Sequence, residues 1–511
     1  MLARAAARSQ EMSVRVALGA NRWILARQVL TESLTVSFAG ALLGLTFAYW
    51  GSRLLVTLMT QEYLTPVSLD LTPDIRVLSV TASSAVLTGI LFGLAPAWRC
   101  SREDPASVLQ QNARSLAGGI GTLSKALIIT QVALSLIMLL GAGLLLQTFE
   151  RLRAVDLGFE KKSVLEMSLY PMPGGYQNLE MNSYHRLLIE RISKISGVRS
   201  VSFSNASIPS PRAYRDAVSA MSADSSTSVN VLSSGAIISP GFFATLGIKL
   251  ARGRDFDETD YERHPRAAIV SGSLVERLFP NGDAIGKHIR FGFMPDFQNL
   301  EIVGIASNAR IFDLRDAATP AIYLSYLQYP GRAQSGNLFV RTSDPPEALA
   351  KTVGHEIESL GHEYPLRTTT VVQMISHVLV EERLTAVLSS FFAALALLLA
   401  SVGVYGLMSY AVTRRTREIG IRVALGAQQE NIIWIVLRET LALVLLGIAI
   451  GIPCALAASR LIASMLFGLS STDLPTIGAV SMLLLIVALF AGYLPARRAS
   501  VIDPLVALRT E

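Results

Sequence analysis

Cysteine is scarce in this chain, and so is charge. The two cysteines, Cys100 and Cys454, lie too far apart to suggest a disulfide framework. Only 16% of the 511 residues are charged while 51% are hydrophobic, and the mean hydropathy is +0.43. That balance is too apolar for an average soluble protein. The opening residues, 1–8, have no apolar core and no cleavage-like end, which excludes a signal peptide there. The usual catalytic signatures are missing as well. There is no Gly-x-Ser-x-Gly, so no nucleophile elbow is indicated. The nearest string to a phosphate-binding loop, Gly282 to His288, is one residue short between its glycines and lacks the hydroxyl after Lys287. It reads as a turn leading into a strand. His355-Glu356 and His362-Glu363 are not followed by a second histidine one turn on, and Ser359 stands where the first pair would need it. Both pairs read as a solvated helix face, and no metal site is expected.

What is present is an internal repeat. Glu11 to Ala20 reads Glu-Met-Ser-Val-Arg-Val-Ala-Leu-Gly-Ala, and Glu418 to Ala427 reads Glu-Ile-Gly-Ile-Arg-Val-Ala-Leu-Gly-Ala. The offset of 407 continues through Val29, Glu32, Gly40, Gly44, Ala48 and Ser52, matched by Val436, Glu439, Gly447, Gly451, Ala455 and Ser459. After a short gap Pro96, Asp104 and Pro105 realign with Pro495, Asp503 and Pro504. Each copy is a short amphipathic segment, two long apolar runs and a basic tail.

Six apolar runs approach or exceed the ~20 residues that cross a bilayer, at about 33–58, 77–97, 126–148, 385–410, 437–466 and 476–496. None has Asp, Glu or His at its centre, so no proton or sodium relay is expected within them. The segments before 33, at 98–125, at 411–432 and after 496 are rich in arginine, whereas 59–75 and 467–475 have neither Lys nor Arg. This alternation places the four basic segments and both termini in the cytoplasm and residues 149–384 outside. It also accounts for the net charge of +6 without a nucleic-acid partner.

The region between the third and fourth runs reads as mixed α+β. Strands are expected at Val164–Leu169, Val198–Ser204, Ile302–Ala306, Ala321–Leu324 and Leu338–Arg341, with a strand-to-helix unit at Ala267–Phe279. Helices are expected at Leu179–Ile195, on a stripe of Leu187, Leu188, Ile192 and Ile195, near Pro240–Leu246, and at Pro346–Leu360. Val371–Arg383 is expected to run on as helix into the fourth span. Residues 205–236, rich in Ser, Ala, Asn and Asp, read as a flexible or inserted segment.

The repeated segment, Arg415 to Ala427, following one apolar span and preceding two, resembles the cytoplasmic coupling segment of MacB/FtsX-type ABC permeases. The outer region is similar to the MacB periplasmic core domain in three stretches, beginning at Ser239-Pro-Gly-Phe-Phe, Leu278-Phe-Pro-Asn-Gly and Glu301-Ile-Val-Gly-Ile. The duplication resembles the group called acidobacterial duplicated orphan permeases. The resemblance implies a multi-pass protein of the bacterial inner membrane with six transmembrane helices and a mixed α+β periplasmic domain. Its parts would be a partial first permease repeat at 1–115, a transmembrane helix at 116–148, the periplasmic core at 149–384 and a second repeat at 385–511. It also implies a dimeric cytoplasmic ABC ATPase as partner, a periplasmic adaptor and outer-membrane channel as further partners, and export of antimicrobial, peptide or lipoprotein-type cargo. The chain itself would be no enzyme and hold no cofactor. An FtsX-like signalling role is the alternative. Met1 aligns with Met408, near the end of the apolar run 385–410 that precedes the second motif, and the first copy has no such run before its motif, so the natural protein is expected to extend upstream.

Read from its residues, the coupling segment is an interfacial amphipathic helix. Ile419, Ile421, Val423 and Leu425 make its apolar side, and Arg415, Glu418 and Arg422 its polar side. Gly426 and Gly19 suit a helix stop. The residues expected to meet the ATPase are Glu11, Arg15, Gly19, Glu418, Arg422 and Gly426.

Overall fold

The computed structural model describes residues 22–60, 74–102 and 122–500, apart from short stretches at 178, 211–213, 222–228, 262–264, 281–282, 293–294, 317–318, 330–335 and 471. The chain divides into two compact units, residues 150–381 and the remainder. Each is described by itself.

The helical unit begins with α1 (Arg22–Thr60), α2 (Ile75–Arg102) and α3 (Thr122–Ala154). It resumes after the inserted unit with long helices at Val380–Arg414, Gln429–Leu461 and Leu474–Ser500. All six expected apolar runs fall on these helices, except that the run expected to reach 466 leaves its helix at Leu461. Five helices among the described residues are long and apolar enough to cross a membrane, and the second run lies on α2, whose described apolar part spans Ile75–Ile90. Apolar side chains on several faces produce this pattern, since lipid replaces water outside and backbone groups are satisfied within each helix. Small residues let the helices approach closely. A Cβ placed on Gly451 would lie 2.9 Å from Leu136 Cδ2, and one on Gly492 would lie 2.8 Å from Thr440 Oγ1. Polar links are few, for example Ser135 Oγ donating to the Ala396 carbonyl at 3.1 Å and Gln147 Nε2 donating to Thr476 Oγ1 at 2.8 Å.

The inserted unit is a mixed α+β domain. Its strands are β1 (Val164–Pro171), β2 (Val198–Ser204), β3 (Tyr214–Ala220), β4 (Asn230–Ile238), β5 (Leu250–Gly253), β6 (Arg266–Ser271), β7 (His288–Phe291), β8 (Leu300–Ala306), β9 (Ala321–Ser325), β10 (Gly336–Thr342) and β11 (Glu363–Thr370). Its helices are α4 (Met181–Ser193), α5 (Phe242–Leu246), α6 (Gly272–Leu278), α7 (Pro346–Ser359) and α8 (Val371–Val378). The sheet order is β11-β1-β10-β2-β4-β3-β7-β8-β6-β9, with β5 on β8 and β9 pairing back onto β4. That last pairing closes six strands into a ring, while β11, β1, β10 and β2 form an open antiparallel arm. The parallel pairs are β4 with β9 and β6 with β8. The apolar core gathers Leu165, Met167, Leu188, Ile192, Phe203, Leu338 and Ile357 from α4, α7 and the sheet arm, all but buried.

Four expectations change here. Residues 205–236 are not an inserted coil among the described residues, because they supply β3 and most of β4. Ser233 and Ser234 are buried in β4, and Ser233 Oγ donates to the Val231 carbonyl at 3.0 Å. Gly235 lies where a Cβ would sit 2.6 Å from the Phe291 ring, so small polar residues serve close packing there rather than flexibility. The α4 stripe is Met181, Tyr184, His185, Leu188 and Ile192, and Leu187 is exposed. The stretch after β11 breaks at Leu379, whose amide donates to the Ile375 carbonyl at 3.1 Å, before the next helix starts at Val380. Finally, His362-Glu363 is no solvated helix face. Glu363 opens β11 and is fully buried.

Candidate coupling site

The helices after the domain are α9 (Val380–Arg414), α10 (Thr416–Ala424), α11 (Gln429–Leu461) and α12 (Leu474–Ser500). The second repeated segment is α10, a nine-residue helix between two long ones. Its bounds have local causes. Arg415 leaves helical geometry at φ −101°, ψ 12°, which separates α10 from α9. At the far end Gly426 takes φ +91°, a left-handed conformation that L side chains rarely adopt. The Gly426 amide then donates to Val423 O at 2.9 Å and the Ala427 amide to Arg422 O at 2.9 Å. These two bonds are the Schellman pattern, and they satisfy carbonyls that a helix end would leave bare.

The helix has one anchored and one open side. Ile419 is 7% exposed and packs into the core formed with Met408, Val412, Ile432, Val436 and Ala499. Val423 joins that core while partly buried. Ile421 and Leu425 do not share this side, contrary to the expectation from sequence. Leu425 is 83% exposed and Ile421 39%. The reason is the 100° step of the helix, which sends residues two apart to opposite sides. Glu418 and Arg422 form an i,i+4 ion pair at 2.7 Å, both partly exposed. An acid in the first turn and a base in the last also suit the helix dipole.

The junction is tied into the bundle by charge. Arg415 Nη1 donates to Glu439 Oε2 at 3.0 Å, and Lys125 Nζ lies 3.7 Å from Glu439 Oε1. One carboxylate on α11 thus holds the α9–α10 joint and the start of α3. On the same side Arg498 Nη1 of α12 donates to Tyr405 Oη of α9 at 3.0 Å. The structure therefore brings Glu418, Arg422 and Gly426 together on one short element. Glu11, Arg15 and Gly19 lie outside the described residues. Reading along the sequence missed Glu439 and Lys125, although the recurrence of Glu439 as Glu32 was a usable signal.

A second polar cluster lies inside the domain. Tyr176 and Tyr184 both donate their hydroxyls to Glu363, Tyr184 at 2.8 Å. Burial raises the Glu363 carboxyl above its usual range, and the two phenols oppose that rise. Burial, followed by the Glu363 charge, pushes both tyrosines up. Nearby His362 Nδ1 meets the Gly175 carbonyl at 2.8 Å. On β1, Glu166 is fully buried with Arg367 Nη2 3.9 Å away, and burial raises its carboxyl to about 8. Of the Gly282–Lys287 string, Gly282 lies outside the described residues, and the described part forms a turn, as expected. Gly286 takes φ +77° and the Lys287 amide donates to the Ala284 carbonyl at 3.1 Å, just before β7.

Two family models match the chain. The FtsX-like permease C-terminal domain matches residues 1–105 and 390–504, and the MacB-like periplasmic core domain matches 126–359. Among relatives, the macrolide export ATP-binding/permease protein MacB 2 of Aeromonas hydrophila is 32% identical over 298 residues, covering 55% of this chain and 44% of that one. MacB of Wolinella succinogenes is 30% identical over 297 residues, covering 56% and 44%. The chain thus spans less than half the length of these relatives. Among solved structures, the periplasmic region of MacB from Actinobacillus actinomycetemcomitans matches at 15% identity and a TM-score of 0.31, covering 43% of this chain and 94% of that one. With permease models on both membrane segments and the periplasmic core model on the domain between them, the chain belongs to the MacB/FtsX-type ABC permeases, inner-membrane proteins with a periplasmic segment.

Proposed function

We propose that this chain is the membrane subunit of an export complex, in which a separate dimeric cytoplasmic ATPase drives movement of the outer domain. The observation that carries the proposal is α10. It is rigidly ended by Gly426, wedged into the bundle by Ile419, and bare on the side of Ile421 and Leu425. A push on such a helix passes directly to α9 and α11, because Arg415 and Glu439 fasten the joint. In this reading α10 and both chain termini are cytoplasmic and residues 149–384 are periplasmic. The parts are 1–115 as a permease repeat, 116–148 as a lone span, 149–384 as the periplasmic core and 385–511 as the second repeat. Glu11, Arg15 and Gly19 serve a second coupling helix by virtue of the repeat. The relatives are named as export ATP-binding/permease proteins, which supports export as the task, with a periplasmic adaptor and an outer-membrane channel as further partners.

The test is co-purification with the cognate ATPase. Arg422→Glu should weaken it, and combination with Arg15→Glu should abolish it, while membrane insertion is unchanged. As an exposed position, Arg422 should cost the fold only about 0.5 kcal/mol when reversed. ATPase binding that survives both reversals would reduce α10 to a plain connecting helix. Single cysteines at Ser225 and Ser500, probed with an impermeant thiol reagent on outer-permeabilised cells, test the topology. Labelling at 500 but not 225 contradicts it.

A further inference from the structure

We infer that Arg438 and Trp434, on the outward face of α11, hold the headgroup of an anionic phospholipid. The two stand one turn apart near the α10 end of that helix. The buried side of α11 runs through Ile432, Val436, Thr440 and Val444. Arg438 lies two residues beyond Val436, so the 100° step turns it about 200° away, to the side opposite the bundle. Trp434 and Leu445 share that side, 60% and 49% exposed, and Arg438 is exposed between them. Arg438 makes no ion pair or hydrogen bond among the described residues. Its neighbour Glu439 does not serve it, because that carboxylate is held by Arg415 and Lys125.

The depth of the pair fits this chemistry. Arg438 and Arg460 bracket about 33 Å of α11, close to the ~30 Å of hydrocarbon in a bilayer. That sets both arginines at headgroup level, Arg438 in the leaflet on the α10 side. Helix side chains lean towards the helix N-terminus, so Arg438 reaches from its Cα towards that surface and over Trp434. Tryptophan favours the same level, where its ring meets acyl chains and its N–H meets headgroups. A cation without a protein partner is costly against hydrocarbon, and a phosphate matches the fork of the guanidinium. Leu445, Leu446 and Ile450, each about half exposed, continue the surface along which the acyl chains lie. Charge selects the lipid. A zwitterionic headgroup brings its own cation to the phosphate, whereas an anionic one leaves its negative charge for Arg438. The inference needs neither the ATPase nor the topology proposed above, only that α11 spans the bilayer.

The test uses the full chain in lipid vesicles with Trp434 as its single tryptophan, in a Trp23→Phe, Trp50→Phe, Trp98→Phe background. The probes are phosphatidylglycerol and phosphatidylcholine brominated high on their acyl chains, which quench Trp434 in proportion to their occupancy beside it. Phosphatidylglycerol should be preferred about fivefold. Arg438→Gln should bring the preference to about one, and Arg438→Lys should keep part of it. Arg497→Gln, which removes another exposed charge at the same end of the bundle, should leave it unchanged. No preference in the parent chain overturns the inference and leaves Arg438 reaching water. An equal fall in Arg497→Gln overturns it in favour of diffuse attraction by a basic surface. Loss of the preference when inorganic phosphate replaces chloride at constant ionic strength overturns it in favour of a free anion. Native mass spectrometry of the chain with all four tryptophans covers the case in which the single-tryptophan background does not fold. Phosphatidylglycerol retained by that chain and lost in Arg438→Gln supports the seat, and equal retention overturns it.

Discussion

Arg415 and Glu439, 24 positions apart, meet at 3.0 Å where α9 turns into α10. Both are partly shielded, and Lys125 adds a second cation to the same carboxylate. The contact converts α10 from a loose connection into part of the bundle. Removing the carboxylate with Glu439→Ala leaves two cations facing each other in a partly dry site. The expected loss is about 1–3 kcal/mol, between an exposed pair and a buried one. Thermal unfolding of the purified chain in detergent measures it, and the swap Arg415→Glu with Glu439→Arg should recover part of the loss. An unchanged midpoint for Glu439→Ala would mean the pair is incidental.

Gly426 offers a test free of steric complication, because a Cβ there would touch nothing within 4 Å. Its φ of +91° alone makes a side chain unwelcome. Gly426→Val should cost more than Gly426→Asn, since asparagine tolerates left-handed geometry, with a difference of about 1 kcal/mol. The readout is stimulation of the cognate ATPase by the chain, which should fall further for valine. Equal values for the two variants would remove the helix stop from the coupling argument.

Tyr184 and Tyr176 are the hydrogen-bond donors that make Glu363 tolerable in the domain interior. Tyr184→Phe removes one of them and keeps the ring. A buried carboxylate short of a partner should cost about 1–3 kcal/mol. Glu363→Gln in the same background should return part of that, because a neutral amide needs less compensation. Chemical denaturation of each variant separates these outcomes, and no loss in Tyr184→Phe would show that water or another group satisfies Glu363.

Glu166 gives the domain a pH dependence of known sign. Burial lifts its carboxyl from 4.5 to about 8, with Arg367 opposing the rise. A raised acid is neutral when folded and ionised when unfolded between those two values. Folding there demands proton uptake, so this group's contribution to stability is greatest below about 4.5 and falls as pH rises towards about 8. Glu166→Gln should therefore raise the unfolding midpoint at pH 8 and change it little at pH 4.5. A stabilisation that is the same at both pH values would show that Glu166 titrates normally.

The sequence by itself determined what its periodicities and repeats encode. Lengths of uncharged apolar residues define the membrane helices, because hydrocarbon imposes a fixed thickness and forbids unpaired backbone. The near-copy at Glu418–Ala427 marked the short helix, and Gly426 marked its end, because a left-handed stop has few residue options. The tertiary structure alone decided three things. It decided which side of α10 is anchored, since Ile421 and Leu425 are as apolar as Ile419 but face away from the bundle. It decided that the serine-rich stretch around Ser233 and Ser234 is a buried strand, because small hydroxyls satisfied by backbone look like coil in one dimension. It also decided that Glu363 belongs to the interior, since only folding brings Tyr176 and Tyr184, nearly 190 and 180 residues upstream, to its two oxygens. Local pattern is set by neighbours in the chain, whereas burial of a polar group depends on partners that sequence distance conceals.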